Sequence, residues 1–268
     1  MRPPLVLAHR GSSGELPEHT LAAFERALEQ GADGIECDVR RSADGELVCL
    51  HDRTLERTGG RPGVVSTMTL AQLREVDWGV WRHAPTTPSA PGPRRRVAGD
   101  GRLVTLHELV ELALDAGRPV GLAIETKHPT RSGGRVERAV AELLRDHGLA
   151  HPVTPGRPWA RMMSFSTLAL RRIAALVPGL PTVQLVASGP ALSVLPSPLL
   201  GGARTAGLDI AILRDRPGVV AAQRAAGREV FVWTVDEPDD VELCLHLEVD
   251  AIITNYPRAV LDAASCAG

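Results

Sequence analysis

One alternation constrains this chain more than any other feature: eight apolar, β-rich runs recur along its 268 residues, separated by stretches with helical spacing. The runs are Leu5 to His9, Gly34 to Val39, Val120 to Glu125, Arg161 to Phe165, Thr182 to Val186, Leu208 to Leu213, Glu229 to Val235 and Asp250 to Thr254. A strand that hands over to a helix before the next strand returns parallel to the first, so the pattern implies βαβ units around a parallel sheet. Eight units predict an α/β fold, a closed (β/α)8 TIM barrel, with an open sheet as the alternative because the fifth and sixth runs are weak. The length suits one barrel domain over residues 1–268.

The helical stretches carry their own start and stop signals. Thr20 precedes the amphipathic segment Leu21 to Leu28, and Gly31 stops it. Thr105 and Glu108 have the spacing of a capping box, ahead of a helix that should end near Gly117. Further helices are expected over 135–146, 168–176, 218–226, 238–247 and 257–264. Two stretches break the alternation. Ser42-Ala43-Asp44-Gly45 is a turn sequence, so Leu47 to His51 should return as a hairpin arm beside the second strand. Residues 53–104 hold no barrel unit, which predicts a small inserted subdomain after the second strand and its hairpin, irregular near 84–101.

Charge narrows the class of partner. The formal net charge is -2, and the longest basic run is Arg94 to Arg96, so binding of nucleic acid or membrane by bulk electrostatics is not expected. No stretch approaches the ~18 to 20 apolar residues of a bilayer span, and Leu5 to Ala8 is too short for a secretory segment. Cys37, Cys49, Cys244 and Cys266 lack metal or redox spacing and read as free thiols. The expectation is a cytoplasmic protein with a small-molecule partner and no stable membrane anchor; oligomeric state leaves no signal. One bias stands out. Among 30 basic residues the single lysine is Lys127, which suggests a place where a compact ammonium is wanted rather than a planar guanidinium.

The chemistry-bearing residues gather at predicted strand ends. His9 and Arg10 end the first run, Glu36 and Asp38 the second, Glu125 and Lys127 the third, and His51 arrives by the hairpin. In a barrel these ends share one mouth. Glu36 and Asp38 alternate with Cys37, so both carboxylates point to one face, with no local cation to neutralise them. With Glu125 they form an oxygen ligand set suited to Mg²⁺, Ca²⁺ or Mn²⁺. Such an ion takes phosphate oxygens readily. Arg10 offers bidentate donors and Lys127 a point charge to the same phosphate. His9 and His51 supply a general acid and a general base near neutral pH. The remaining histidines, His107 and His147 among them, read as loop or helix-surface residues, with His19 and His128 as candidates for supporting roles.

These residues resemble a known family. His9-Arg10-Gly11, Leu16-Pro17-Glu18-His19-Thr20, Gly31 through Val39, Asp44-Gly45, His51-Asp52 and Leu55-x-Arg57-Thr58 are similar to the glycerophosphodiester phosphodiesterases, as are Ile124 through Lys127, Ser164-Phe165, Val232 through Val235 and Val249 through Thr254. The resemblance implies a (β/α)8 barrel with an insertion after the His-Asp motif, a divalent metal, and hydrolysis of glycerophosphodiesters to glycerol 3-phosphate and an alcohol. It implies metal binding by Glu36, Asp38 and Glu125, acid/base catalysis by His9 and His51, and substrate contacts from Arg10, Lys127, Phe165 and Trp233. The expected route runs through a cyclic glycerol phosphate, with direct attack by water, using the same residues, as the alternative, and with His9 as first-step acid and His51 as base. The chain departs from the family at His19, Val104, Met163, Ser166 and Asn255, where Asn, Pro, Gln, Asp and Asp are common. Two alternatives stay open: a related barrel phospholipase acting on lysophospholipid or sphingolipid headgroups, and a non-catalytic barrel that binds phosphate esters.

Overall fold

The computed structural model describes residues 3–79, 101–128, 133–154, 156–189 and 202–266. Its strands are β1 (Leu5–His9), β2 (Gly34–Arg41), β3 (Leu47–Cys49), β4 (Gly121–Thr126), β5 (Trp159–Ser164), β6 (Thr182–Val186), β7 (Thr205–Asp209), β8 (Glu229–Trp233) and β9 (Ala251–Thr254). They form one sheet in the order β1-β9-β8-β7-β6-β5-β4-β2-β3, and β1 also pairs with β2. Eight parallel strands therefore close into a barrel, and β3 returns antiparallel along the far end of β2, as the turn sequence predicts. Helices α1 (Leu21–Glu29), α2 (Glu56–Gly59), α3 (Leu70–Arg74), α4 (Leu106–Leu114), α5 (Arg135–Asp146), α6 (Thr167–Leu176), α7 (Ile210–Asp215), α8 (Val219–Ala225), α9 (Pro238–His246) and α10 (Pro257–Cys266) are the described α-helices.

Local chemistry starts the helices where expected. The Thr20 hydroxyl accepts from Ala23 N–H at the head of α1, and Thr105 and Glu108 cap α4 reciprocally, each satisfying donors the helix cannot. One prediction fails. Leu208 to Leu213 is not a strand: β7 lies earlier, and Ile210 onward is α7, capped by the Asp209 carboxylate, which accepts from Ala211 N–H. The reason is steric. Gly207 sits inside the barrel, where a Cβ would come within 2.7 Å of Leu185 Cδ2, so this position has no room for a side chain and gives no apolar signal.

Strand residues alternate between two apolar regions. Ile35, Cys37, Val39, Leu122 and Ile124 pack outward against α4 and α5 residues such as Leu109 and Leu144. Leu7, Ala123, Met163, Val183, Phe231 and Ile253 fill the interior. Each fully buried Leu, Ile or Phe contributes roughly 1.5–3 kcal/mol relative to exposure. Between β3 and α4, the two short helices and a 3-10 turn at Val65–Thr67 gather around Leu50, Leu55, Leu73, Trp78 and Leu103. Residues 80–100, with Trp81, Arg94 to Arg96 and nearly all of the stretch expected to be irregular, lie outside the described residues. Among those described, no helix is long and apolar enough to cross a membrane.

Candidate active site

Strand register assembles the mouth. His9 is level with Glu36, and Asp38 is level with Glu125, so three neighbouring strands deliver these side chains to one end of the barrel. The turn after β1 is unusual: Arg10 and Gly11 take left-handed φ values of 58° and 85°, which a non-glycine residue adopts at a cost. That turn aims the Arg10 N–H at Glu36, whose backbone O lies 2.9 Å away and whose Oε2 lies 3.2 Å away. His9, Arg10, Glu36, His51, Glu125, Lys127, Phe165 and Trp233 line one cavity of about 130 Å³, and Met163 and Ile253 supply apolar wall. Every residue expected to act is thus at the mouth, with Asp38 buried just beneath the lining.

The carboxylates are not alone. Arg10 Nε is 3.0 Å from Asp38 Oδ2, and Lys127 Nζ lies 3.1 Å from Asp38 Oδ1 and 2.9 Å from Glu125 Oε1. The sequence-based view of an acid pair without a cation is corrected here: the strand turn and the next strand each bring one. Burial alone would keep Asp38 neutral, yet Arg10 and Lys127 hold it far below the usual carboxylate range. Burial and the charge of Asp38 push Glu36 well above its ordinary value, and the same two causes raise Glu125 to about 8.

A divalent cation fits this arrangement. Ligand oxygens of Glu36, Asp38 and Glu125 lie within 4.8 Å of one another. Both Asp38 oxygens are buried and, despite the nearby cations, accept no well-directed hydrogen bond. Two carboxylates forced toward protonation beside a third are a set whose missing partner is positive charge.

Each histidine is held through Nδ1. His9 Nδ1 is 2.7 Å from Asn255 Oδ1; that amide is oriented by its own Nδ2, which donates to Asp236 Oδ2 at 2.5 Å, and Oδ1 also accepts from the Ser13 hydroxyl. The network therefore assigns the His9 proton to Nδ1 and leaves Nε2 with a lone pair, 3.9 Å from Glu36 Oε2. Burial, with the Arg10 charge, lowers His9 to about 4. His51 Nδ1 is 2.6 Å from Asp52 Oδ1, and Arg40 holds the His51 carbonyl with two N–H groups. Burial lowers the His51 pKa too, while Asp38 and the Asp52 hydrogen bond work in the opposite direction.

Several supporting residues escape a reading of strand ends. Glu18 accepts from Arg10 Nη1 at 2.9 Å and from both Arg57 Nη groups, so it anchors Arg10 from behind. His19 is buried, and its Nε2 accepts the Asp38 N–H at 3.0 Å; the Glu18-His19 pair in the matched motif was the available signal. His128 does not join the mouth but lies 3.4 Å from Glu137. Phe165 and Trp233 meet edge to face, with centroids 5.6 Å apart, and Trp233 Nε1 donates to the Gly207 carbonyl. Ser166 keeps a role despite departing from the family pattern: its side chain caps α6.

A parallel barrel with an acidic cluster, two flanking cations and two oriented histidines at one mouth defines a phosphoester-handling barrel enzyme by its chemistry. The model of the glycerophosphoryl diester phosphodiesterase family matches residues 9–259, and the chain belongs to that family. It is 45% identical over 254 residues to the probable glycerophosphodiester phosphodiesterase 1 of Mycobacterium tuberculosis, covering 95% of this chain and 90% of that one. A glycerophosphodiester phosphodiesterase of Caldanaerobacter subterraneus is 31% identical over 258 residues, with 96% of each covered. Among solved structures, an Oleispira antarctica phosphodiesterase in complex with the product sn-glycerol-3-phosphate is 26% identical and superposes with a TM-score of 0.81, covering 98% of this chain and 97% of that one.

Proposed function

We propose that this protein, acting as one barrel unit of residues 1–268 with residues 53–104 inserted, hydrolyses glycerophosphodiesters to glycerol 3-phosphate and an alcohol. The observation that carries the reading is the cavity that His9 and His51 share with Glu36, Glu125, Arg10 and Lys127. Glu36, Asp38 and Glu125 would hold Mg²⁺ or Ca²⁺, with Mn²⁺ a third option, because the donors are all hard oxygens. When bound, the ion supplies charge neutralisation on the phosphoryl oxygens. Arg10 and Lys127, which flank the same carboxylates, would add their positive charge to those oxygens, and Phe165 and Trp233 would form an apolar wall for the carbon skeleton of the substrate.

The histidines divide the proton transfers. His9, neutral down to about pH 4 and paired with an amide, suits the base that takes the proton of the glycerol 2-hydroxyl as it attacks phosphorus. His51, paired with the Asp52 carboxylate, suits the acid, because that charge stabilises the imidazolium before it protonates the departing alkoxide. This ordering reverses the sequence-based one, and its ground is the neutral partner at Asn255. Water opens the resulting cyclic phosphate with the roles exchanged. Four unpaired thiols, three of them buried, favour a reducing compartment, and we assign the activity to the cytoplasm.

The test is hydrolysis of glycerophosphocholine, glycerophosphoethanolamine and glycerophosphoinositol by metal-stripped protein with Mg²⁺, Ca²⁺ or Mn²⁺ restored, beside His9→Ala and His51→Ala. Each substitution should lower kcat by roughly 10² to 10⁴. Activity that survives both would overturn the assignment. Cleavage of lysophospholipid or sphingolipid in preference to these substrates would select the phospholipase reading.

A further inference from the structure

A second set of metal-type ligands lies on the outer helical layer, away from the mouth. α4 carries His107 and Glu111 one turn apart, and His147 directly follows α5. One ligand atom from each of the three lies within 4.8 Å of the other two. His107 Nε2 is 3.4 Å from Glu111 Oε1, and the two imidazoles meet edge to face with centroids 5.0 Å apart. His147 Nδ1 is 2.9 Å from the Leu143 carbonyl oxygen. A carbonyl only accepts, so the proton sits on Nδ1 and Nε2 keeps its lone pair. Tying down one ring nitrogen in this way is how proteins prepare the other for a metal.

We propose that His107, Glu111 and His147 form a second divalent metal site, for an ion of the zinc class, with solvent as the remaining ligand. The donor set decides the class. Two imidazoles and one carboxylate suit Zn²⁺ and its borderline neighbours, whereas Mg²⁺ and Ca²⁺ prefer the all-oxygen cluster at the mouth. His107 and Glu111 are exposed and His147 is half-buried, so their side chains are free to close to the ~3.4 Å ligand separation that tetrahedral Zn–N bonds of ~2.1 Å require. Leu109 and Val110 of α4 and Val140 and Leu144 of α5 belong to one apolar layer with Ile35, Cys37 and Ile124. A bound ion staples these helices behind the strands that carry Glu36, Asp38 and Glu125. It stabilises the fold without touching the cavity.

The experiment uses the full chain in excess Mg²⁺, titrated with Co²⁺ while the visible absorption of four-coordinate Co²⁺ is followed, then with Zn²⁺ to displace it. Thermal melts with and without Zn²⁺ run in parallel. Expected are one Co²⁺ per chain with the intensified bands of tetrahedral coordination, displacement by one equivalent of Zn²⁺, and a higher Tm with Zn²⁺. The bands and the Tm rise should vanish in His107→Ala and in His147→Ala, while metal-free Tm and hydrolytic activity stay at the wild-type level. Glu111→Gln should weaken Zn²⁺ binding by roughly tenfold or more, and Glu125→Gln should keep the signal. Bands that persist in both histidine variants, that disappear in Glu125→Gln, or that never form in the wild type overturn the proposal.

Discussion

Replacing Glu18 by Gln tests how the arginine at the mouth is held. The Glu18 carboxylate accepts from Arg10 Nη1 at 2.9 Å and from Arg57 at 2.8 and 2.7 Å. Burial opposes its ionisation, but the Arg57 hydrogen bonds and the Arg10 charge win and bring it from 4.5 to about 2. At about 1.4 kcal/mol per pH unit, that drop is worth about 3 kcal/mol at neutral pH. Arg57 is 43% exposed, and solvent screening of that half of the bridge reduces the loss expected in Glu18→Gln to ~1–3 kcal/mol. The folded-state pKa lies below the unfolded one, so the stabilisation is complete above about pH 4.5 and disappears as pH falls through about 2. Urea unfolding of the two proteins across that range should give curves that are separated at neutral pH and converge in acid. KM for a glycerophosphodiester should rise more than kcat falls, because Arg10 loses its anchor and not its charge. A stability gap that persists undiminished at about pH 2, or no gap at neutral pH, refutes the reasoning.

Three further outcomes follow from the same geometry. Glu125, raised to about 8 by burial and by Asp38, holds a proton at neutral pH in metal-free protein; divalent-ion binding should release protons and tighten as pH rises toward 8, and calorimetry in buffers of different ionisation enthalpy would expose the error if none is released. Asp52→Asn removes the carboxylate 2.6 Å from His51 Nδ1, so kcat should fall roughly 10 to 100-fold. The alkaline limb of the pH–rate profile should then move to lower pH, and an unmoved limb would contradict His51 as the first-step acid. Gly207→Ala would press a methyl group to 2.7 Å from Leu185 Cδ2 and 2.9 Å from Val183 Cγ1; overpacking of this kind costs ~1–3 kcal/mol, visible as a lower Tm, and a wild-type melt would rule out the close approach.

Where local patterning governs, sequence and structure agree closely. Thr182–Val186 and Arg135–Asp146 have the predicted bounds, since one is rich in β-formers and the other strongly amphipathic. Leu208 to Leu213 misleads for the opposite reason: the true strand has a glycine where it faces the barrel interior, and the apolar residues after it belong to a helix covering the outside. The paired histidines outside the mouth, His107 and His147, were legible only as surface residues. One stands on α4 and the other just past the end of α5, and no local pattern predicts that the two are brought together.

By itself the sequence determined most of the order of strands and helices, the family, and which residues stand at strand ends, because period-two burial and short motifs are properties of neighbouring residues along the chain. Only the tertiary structure decided the charge state of the site. Asp38 is ionised because Arg10 and Lys127 arrive from a strand on either side of it. Glu125 holds its proton because it is buried and Asp38 lies level with it across the sheet, and His9 presents Nε2 because Asn255, from the far end of the chain, takes Nδ1. Burial and through-space charge set these pKa values, and both depend on distances that exist only once the barrel has closed.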